Sequence, residues 1–307
     1  MKKVLKKITT KTVNQSQPLV SVIMPVHNAQ TYLAEAIESI VNQTYSNLEL
    51  LVIDDASTDT SVSIAKKYAK KYPTKVKVYQ TPSVTNSAGN GATNFGLKYA
   101  KGAFIARMDA DDIALPQRIT TQVAYMVQHP QVILCGSQAE VVDGAGKHTG
   151  VKTLPLSHAA IYDTYGVIHP IIHPTVMIRR SLLPDPNKIY QMKWDVNDDY
   201  YTFFTLLQYG EFVNLPELLL KYRIHGKNLS LINPKQKFFN SVRIRIEAIR
   251  KLDYKISLKS LATMIAQVII VTCIPEKLIV PLYMLIRGIK KQSTKSDSKS
   301  KTTVAFQ

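Results

Sequence analysis

The 307-residue chain is 45% hydrophobic and 20% charged, enough apolar material for a full core, which excludes a wholly unstructured chain. Its net charge of +17 invites a nucleic-acid reading, but residues 13–234 carry 19 bases against 18 acids, and the surplus sits in 1–12, 235–259 and 287–307. A near-neutral body argues against a basic nucleic-acid groove; the two distant cysteines, Cys135 and Cys273, exclude a CxxC metal site and point to reduced thiols in the cytoplasm.

No apolar stretch follows Met1-Lys2-Lys3-Val4-Leu5-Lys6-Lys7, so a cleaved secretory leader is not expected. From residue 20 a short β-branched run followed by a helical period recurs several times. Residues 20–26 read as a buried strand, and 32–42 as an amphipathic helix with Leu33, Ala36, Ile37 and Ile40 inward. A second strand over 48–53 ends at Asp54-Asp55; Ser57 and Thr58 offer N-caps for a helix running to residue 71, and 76–79 form a third strand. After a Gly/Asn/Ser-rich loop come a helix over 92–100, a fourth strand over 104–108, a helix started by Pro116 and running to 128, and a strand over 132–136. Such alternation predicts an α/β fold, a mostly parallel sheet sandwiched by helices, with ligands bound beyond the carboxyl ends of its strands. Residues 137–230 are less regular, with one helix over 200–208. A basic helix over 238–252 precedes the uncharged run 260–275, whose 16 residues fall short of the roughly 18 to 20 needed to span a bilayer. With 278–286 it reads as an interfacial or re-entrant helical pair whose flanking lysines meet anionic headgroups, and the tail from 292 as disordered.

The strongest chemical signal is Ala106-Arg107-Met108-Asp109-Ala110-Asp111-Asp112, directly after a buried strand. Three acids in four residues repel one another unless a cation holds them, and Mg²⁺ or Mn²⁺ suits hard carboxylate oxygens while sharing substrate phosphates. A sugar diphosphate needs that neutralisation as its glycosidic bond breaks; an acidic, helix-capping turn would present the same residues. A second signal is Asp54-Asp55 with Pro25, Val26 and His27, where a carboxylate accepts the N3 hydrogen of uracil and an imidazole stacks on its face; a strand-to-helix turn with capping acids has the same composition. The third, Trp194-Asp195-Val196-Asn197-Asp198-Asp199-Tyr200, opens a helix. Inverting transfer needs one carboxylate to take the acceptor hydroxyl's proton, for which Asp199 is the candidate, with helix-dipole acids as the alternative. Finally, 222–230 offers His225 to a metal shell and Arg223 or Lys227 to phosphate, and His173 is a candidate for an acceptor pocket.

Taken in order over residues 18–230, these segments resemble family 2 of the inverting glycosyltransferases, with the GT-A fold, of the bacterial cell-surface polysaccharide type. The resemblance runs through Val20-Ser21-Val22-Ile23-Met24-Pro25-Val26-His27-Asn28, Ser39-Ile40-Val41-Asn42-Gln43-Thr44-Tyr45, 54–59, the 89–96 loop, and 102–112 with Arg118 and Gln122. It implies a metal-dependent hexosyltransferase moving sugar from a UDP-sugar to a hydroxyl of a glycan or lipid-linked acceptor at the cytoplasmic face of the membrane. By residue, it implies a donor site at Pro25, Val26, His27, Asp55 and Asp109, and Mg²⁺ or Mn²⁺ on Asp109, Asp111 and His225. Asp199 matches the base, and His173, Trp194 and Asp198 would meet the acceptor. His27 stands where a tyrosine is frequent, and Asp198 where a glutamate is more usual. The domains expected are a basic tail over 1–17, the GT-A domain over 18–234, a basic and apolar helical membrane-associating region over 235–291, and a disordered tail over 292–307.

A dinucleotide-binding dehydrogenase is disfavoured because no GxGxxG follows the first strand. A nucleotidyltransferase of similar fold would share the sheet and metal acids but leave the Asp199 and His225 segments unexplained. A non-catalytic basic nucleic-acid-binding protein would need its charge on the folded body; membrane contact survives as an adjunct to catalysis.

Overall fold

The computed structural model describes residues 17–85, 87–225, 233–275 and 278–279. Lys227, nearly all of the expected basic tail, and the expected disordered tail lie outside the described residues.

Strand β1 (Val20–Val26) is buried at every position and runs parallel to β2 (Leu48–Asp54), Val20 opposite Leu48 and Val26 opposite Asp54. β3 (Val76–Gln80) extends the parallel set beyond β2, and β4 (Phe104–Arg107) flanks β1 on its other side. The two-residue side-chain period, with helices on both faces, explains why β1 and β2 are apolar at most positions. Val20, Val22, Met24, Leu50 and Val52 pack on one face with Leu33, Ile37 and Ile40 of helix α1 (Leu33–Val41) and Ala65 of α2 (Ser61–Lys71). Ile23, Leu51 and Ile53 pack on the other with Ala92 and Leu97 of α3 (Asn90–Leu97).

Beyond β4 the sheet becomes mixed. Short β5 (Ile113–Ala114), helix α4 (Arg118–Gln128), long β6 (Val132–Asp143), hairpin strand β7 (His148–Lys152) and helix α5 (His158–Tyr165) follow. Then come β8 (Met177–Arg179), α6 (Asp198–Leu206) and the 14-residue β9 (Glu211–Ile224). The order is β3-β2-β1-β4-β8-β6-β9-β5, with β7 on β6; β8 is antiparallel to β4 and β6, while β9 is parallel to β6 and antiparallel to β5. The expected parallel alternation thus holds for the first four strands.

Residues 137–143 and 211–224, expected to be irregular, form the long strands β6 and β9. Polar Ser137 and Gln138 disguise the first: both are buried, and the Gln138 amide donates to Leu154 O and accepts from Leu154 N. Pro216 disguises the second, lying where the β6–β9 register shifts. Ser57 and Thr58 do not cap α2, which starts at Ser61; Ser57 Oγ instead accepts Asn28 N, and Thr58 N donates to Asn28 Oδ1. The expected helix start at Pro116 moves to Arg118.

Two further helices complete the described chain, α7 (Pro234–Lys251) and α8 (Leu258–Cys273). They dock on the α5–α6 layer: Arg245 donates to Tyr200 Oη at 2.9 Å and to Val167 O at 2.5 Å, and Ser260 Oγ donates to Asp163. The opposite side of α8 presents Leu258, Ile265, Ile269 and Ile270 to solvent. No helix among the described residues is long and apolar enough to cross a membrane. Both cysteines are free, Cys135 buried on β6 and Cys273 exposed at the end of α8.

Candidate active site

Because β1, β2 and β4 run parallel, their carboxyl ends deliver His27, Asp55 and Asp109 to one edge of the sheet. The antiparallel pairing of β5 with β9, Ile113 opposite Lys221, brings Asp111 and Asp112 beside Arg223 and His225. Oxygens of Asp109, Asp111 and Asp112 lie within 4.8 Å of one another, and His225 Nε2 lies 2.9 Å from Asp111 Oδ2. Tyr32 stacks on the His225 ring at 5.2 Å.

The acids differ in surroundings. Asp112 is buried and accepts the Arg223 N–H on Oδ1, while its Oδ2 is buried with no hydrogen-bond partner among the described residues. Burial, then Asp111 and Asp109, pushes its carboxyl well above the usual range. Asp109 is also raised, by burial and by Asp111, although Arg107 beside it at 2.9 Å pulls the other way. Carboxylates held this close, one with an orphaned oxygen, fit a hard divalent cation such as Mg²⁺ or Mn²⁺, which reverses the repulsion. Below the loop lies Arg118, fully buried, donating to Arg107 O at 2.7 Å; burial pulls its pKa down to about 10 against the opposing fields of Asp112 and Asp109. Gln122 ties this floor to the backbone carbonyls of Cys135 and Thr175, both at 2.8 Å.

Asp55 is buried and accepts Thr81 Oγ1 and Thr85 N on Oδ1 and Thr85 Oγ1 on Oδ2, each at 2.9 Å. Of about four acceptor positions on a carboxylate, one on Oδ2 remains. His27 is exposed at the rim, its Nδ1 2.7 Å from Asp55 O. Gly89 approaches Pro25 so closely, at φ +78°, that a Cβ there would sit 2.9 Å from the proline ring.

Asp199 lies in the first turn of α6, with Oδ2 facing His169 Nε2 at 3.4 Å and His173 Nδ1 at 3.6 Å. Phe203 fixes both imidazoles edge-on, at interplanar angles of 79° and 77°. The protons follow from the partners. Ile171 N donates to His169 Nδ1, which leaves Nε2 as the ring nitrogen turned toward Asp199. Burial and then Arg107 push His173 well below its usual range, and burial raises Tyr190, so both are neutral. The Tyr190 hydroxyl then donates to His173 Nε2 at 2.6 Å, leaving Nδ1–H for Asp199; the opposite tautomer would face a bare nitrogen at a carboxylate. Burial alone would raise the Asp199 pKa, but His169, His173 and the Tyr200 N–H hold it well below the usual carboxylate range.

A run of contacts joins Asp199 to the acid cluster. Asp109 pairs with Arg107, the Arg107 guanidinium stands 5.9 Å from the Tyr190 ring, and Tyr190 meets His173 beside Asp199. Two expectations change. Arg223, read as a phosphate contact, is buried and spans Asp111 O at 2.8 Å and Glu35 at 2.6 Å, so it braces the acid loop. Asp198, read as an acceptor contact, is buried, and its Oδ1 gathers the N–H groups of Lys193 and Trp194, so it holds the Trp194 turn. Sequence reasoning missed His169, Tyr190 and the bracing role of Arg107. The repeated His-Pro pair, His169-Pro170 and His173-Pro174, was the available signal.

Residues 21–185 match the family described as Glycosyl transferase family 2. An uncharacterized glycosyltransferase of Haemophilus influenzae is 33% identical over 70% of this chain and 68% of its own length. The O-antigen biosynthesis glycosyltransferase WbnJ of Escherichia coli is 30% identical over 68% of this chain and 81% of its own. In eight of the curated relatives the matched stretch spans between 48% and 84% of their own length. Among solved structures, S. aureus TarS 1–349 in complex with UDP-GlcNAc is similar at a TM-score of 0.58, 20% identity, 76% of this chain and 67% of that one. The mannosyltransferase PcManGT of Pyrobaculum calidifontis, in complex with GDP-Man and Mn²⁺, is similar at 0.57, 16% identity, 89% and 86%. These similarities show the GT-A fold, and the chain belongs to glycosyl transferase family 2.

Proposed function

We propose that the protein transfers a hexosyl group, with inversion, from a nucleotide diphosphate sugar, UDP-linked, to a hydroxyl of a lipid-linked glycan in cell-surface polysaccharide synthesis. The observation that carries this reading is the continuous run from Asp109 through Arg107, Tyr190 and His173 to Asp199, with the acid cluster at one end and a carboxylate base at the other. The UDP-GlcNAc and the GDP-Man and Mn²⁺ in the similar solved structures, and the O-antigen role of a relative, support the substrate classes.

In this reading the remaining acceptor position of Asp55 takes the N3–H of uracil, with Pro25, Val26 and His27 along the base. Asp109, Asp111 and His225 hold Mg²⁺ or Mn²⁺, with Asp112 behind them. When bound, the ion neutralises the charge that grows on the diphosphate leaving group. Asp199, ionised and aimed by two imidazoles, takes the proton of the acceptor hydroxyl as it attacks the anomeric carbon from the face opposite the leaving group, which inverts the centre. His173 borders the place of that hydroxyl. The GT-A domain covers 18–234 and the C-terminal region to 291 rests on the cytoplasmic face of the membrane, supported by the exposed apolar side of α8 and Lys255 and Lys259 at its start.

Asp199→Asn is expected to abolish transfer while retaining the Mn²⁺-dependent rise in melting temperature caused by a UDP-sugar. Full activity in that variant would remove Asp199 as the base. A wild-type protein whose melting temperature no nucleotide sugar moves, with or without Mn²⁺, would overturn the donor class.

A further inference from the structure

Arg245 lies on α7, a helix that begins well beyond residue 185, where the family match ends. It is only 3% exposed, and its three hydrogen-bond acceptors are all neutral. A guanidinium buried among neutral groups is costly, and an aliphatic side chain would fill the same space at less cost. The hydrogen bonds show what the charge holds. Nε donates to Tyr200 Oη at 2.9 Å, Nη2 to Val167 O at 2.5 Å, and Nη1 to Gln267 Oε1 of α8 at 3.4 Å.

The two nearest partners belong to the walls around Asp199. Tyr200 follows Asp199 in the first turn of α6, and its N–H donates to Asp199 Oδ1 at 2.8 Å. Val167 stands two residues before His169, which faces Oδ2 of the same carboxylate at 3.4 Å, and the His169 ring lies 5.1 Å from that of Tyr200. While accepting from Arg245, the Tyr200 hydroxyl donates its own proton to Tyr165 O, at the end of α5. The last carbonyls of a helix lack partners within it and favour a cation. One guanidinium thus joins the C-terminal end of α5 to the N-terminal turn of α6. Each oxygen of Asp199 has a neighbour on a segment that Arg245 pins.

We propose that Arg245 is a positioning residue for the base, acting through Tyr200 and the segment 167–169 to hold the Asp199 carboxylate where it meets the acceptor hydroxyl. The proposal rests on the reading of Asp199 as the base, and it makes α7 part of the catalytic wall. A misplacement of about 1 Å at a reacting group costs on the order of a hundredfold in rate, which sets the size of the effect.

Full-length variants are compared for kcat and donor KM of UDP release from UDP-glucose, UDP-galactose and UDP-GlcNAc with Mn²⁺, and for hydrogen exchange of their backbone amides. Arg245→Met is expected to lose about a hundredfold in kcat, with donor KM and the Mn²⁺-dependent melting shift unchanged, and Arg245→Lys to recover part of the loss. Tyr200→Phe removes the shared oxygen alone; it is expected to lose about tenfold, and less than that when added to Arg245→Met. Ile244→Ala, buried on the same helix, lowers the melting temperature and keeps kcat. Amides of 166–173 and 198–206 exchange faster in Arg245→Met, while those of 20–54 do not. The proposal is overturned if Arg245→Met keeps kcat, if Ile244→Ala loses as much, or if the Arg245 and Tyr200 losses add. Wild-type kcat in Tyr200→Phe overturns it even where Arg245→Met does not fold, and unchanged exchange in both segments overturns it whichever donor is turned over. Asp199→Asn, assayed alongside, separates the two readings: full activity there removes the base, whereas its inactivity beside an active Arg245→Met removes only the role of Arg245.

Discussion

At Asp199 two imidazoles, His169 and His173, face one carboxylate oxygen. Burial raises the carboxyl pKa, but the interactions with His169 and then His173, together with the Tyr200 N–H, outweigh it and lower the pKa. The sign has a consequence for pH. A group whose folded pKa is depressed contributes stability above the unfolded value of about 3.9 and loses it as pH falls through the folded value, so Asp199 stays ionised across the whole neutral range. His169→Leu removes one donor and leaves burial, which raises the pKa. The acid limb of kcat against pH is therefore expected to move to higher pH in that variant, and an unchanged limb would show that His169 does not govern the base. The carboxylates of the acid cluster stood out in the sequence because three acids within four residues repel one another unless a cation holds them. His169 did not, since the meaning of a histidine depends on what faces it, and nothing local reveals that it meets Asp199.

Among the elements, those with a clean period were read to within a few residues. β1, β2 and α1 carry continuous or helically spaced apolar residues, and burial on both faces follows directly. β6 was obscured because buried Gln138 satisfies backbone groups instead of contributing apolar surface, and β9 because Pro216 interrupts it where the register shifts. Where polar side chains replace ladder neighbours, alternation fades although the strand persists. α8 raises the opposite question, since its outer side is more apolar than solvent contact warrants: Leu258 is 86% and Ile269 60% exposed. Replacing Ile265 and Ile269 by serine is expected to lower partitioning to anionic liposomes by at least an order of magnitude, since two buried methylenes at roughly 0.8 kcal/mol each already suffice for that, without changing the UDP-sugar melting shift. Equal partitioning of the variant and wild type would remove α8 as the docking helix.

For the whole molecule, charge and catalysis are segregated. The body from 13 to 234 carries only +1 of the net +17, so nearly all of the excess acts from the ends of the chain and from the basic stretch around α7. Binding to an anionic surface through these segments should weaken as salt screens it, while transfer to a soluble acceptor should not. Deleting 260–307 is expected to release the protein from membranes into the supernatant with donor binding intact; unchanged sedimentation would refute the anchor. The two thiols of the chain add a practical corollary. Burial pushes the Cys135 thiol up to about 12, which silences it toward alkylating reagents, whereas Cys273 sits in the open at the last turn of α8. A polarity-sensitive maleimide dye will therefore report from one known site on the natural chain, and its colour on mixing with vesicles measures how deeply that helix is immersed.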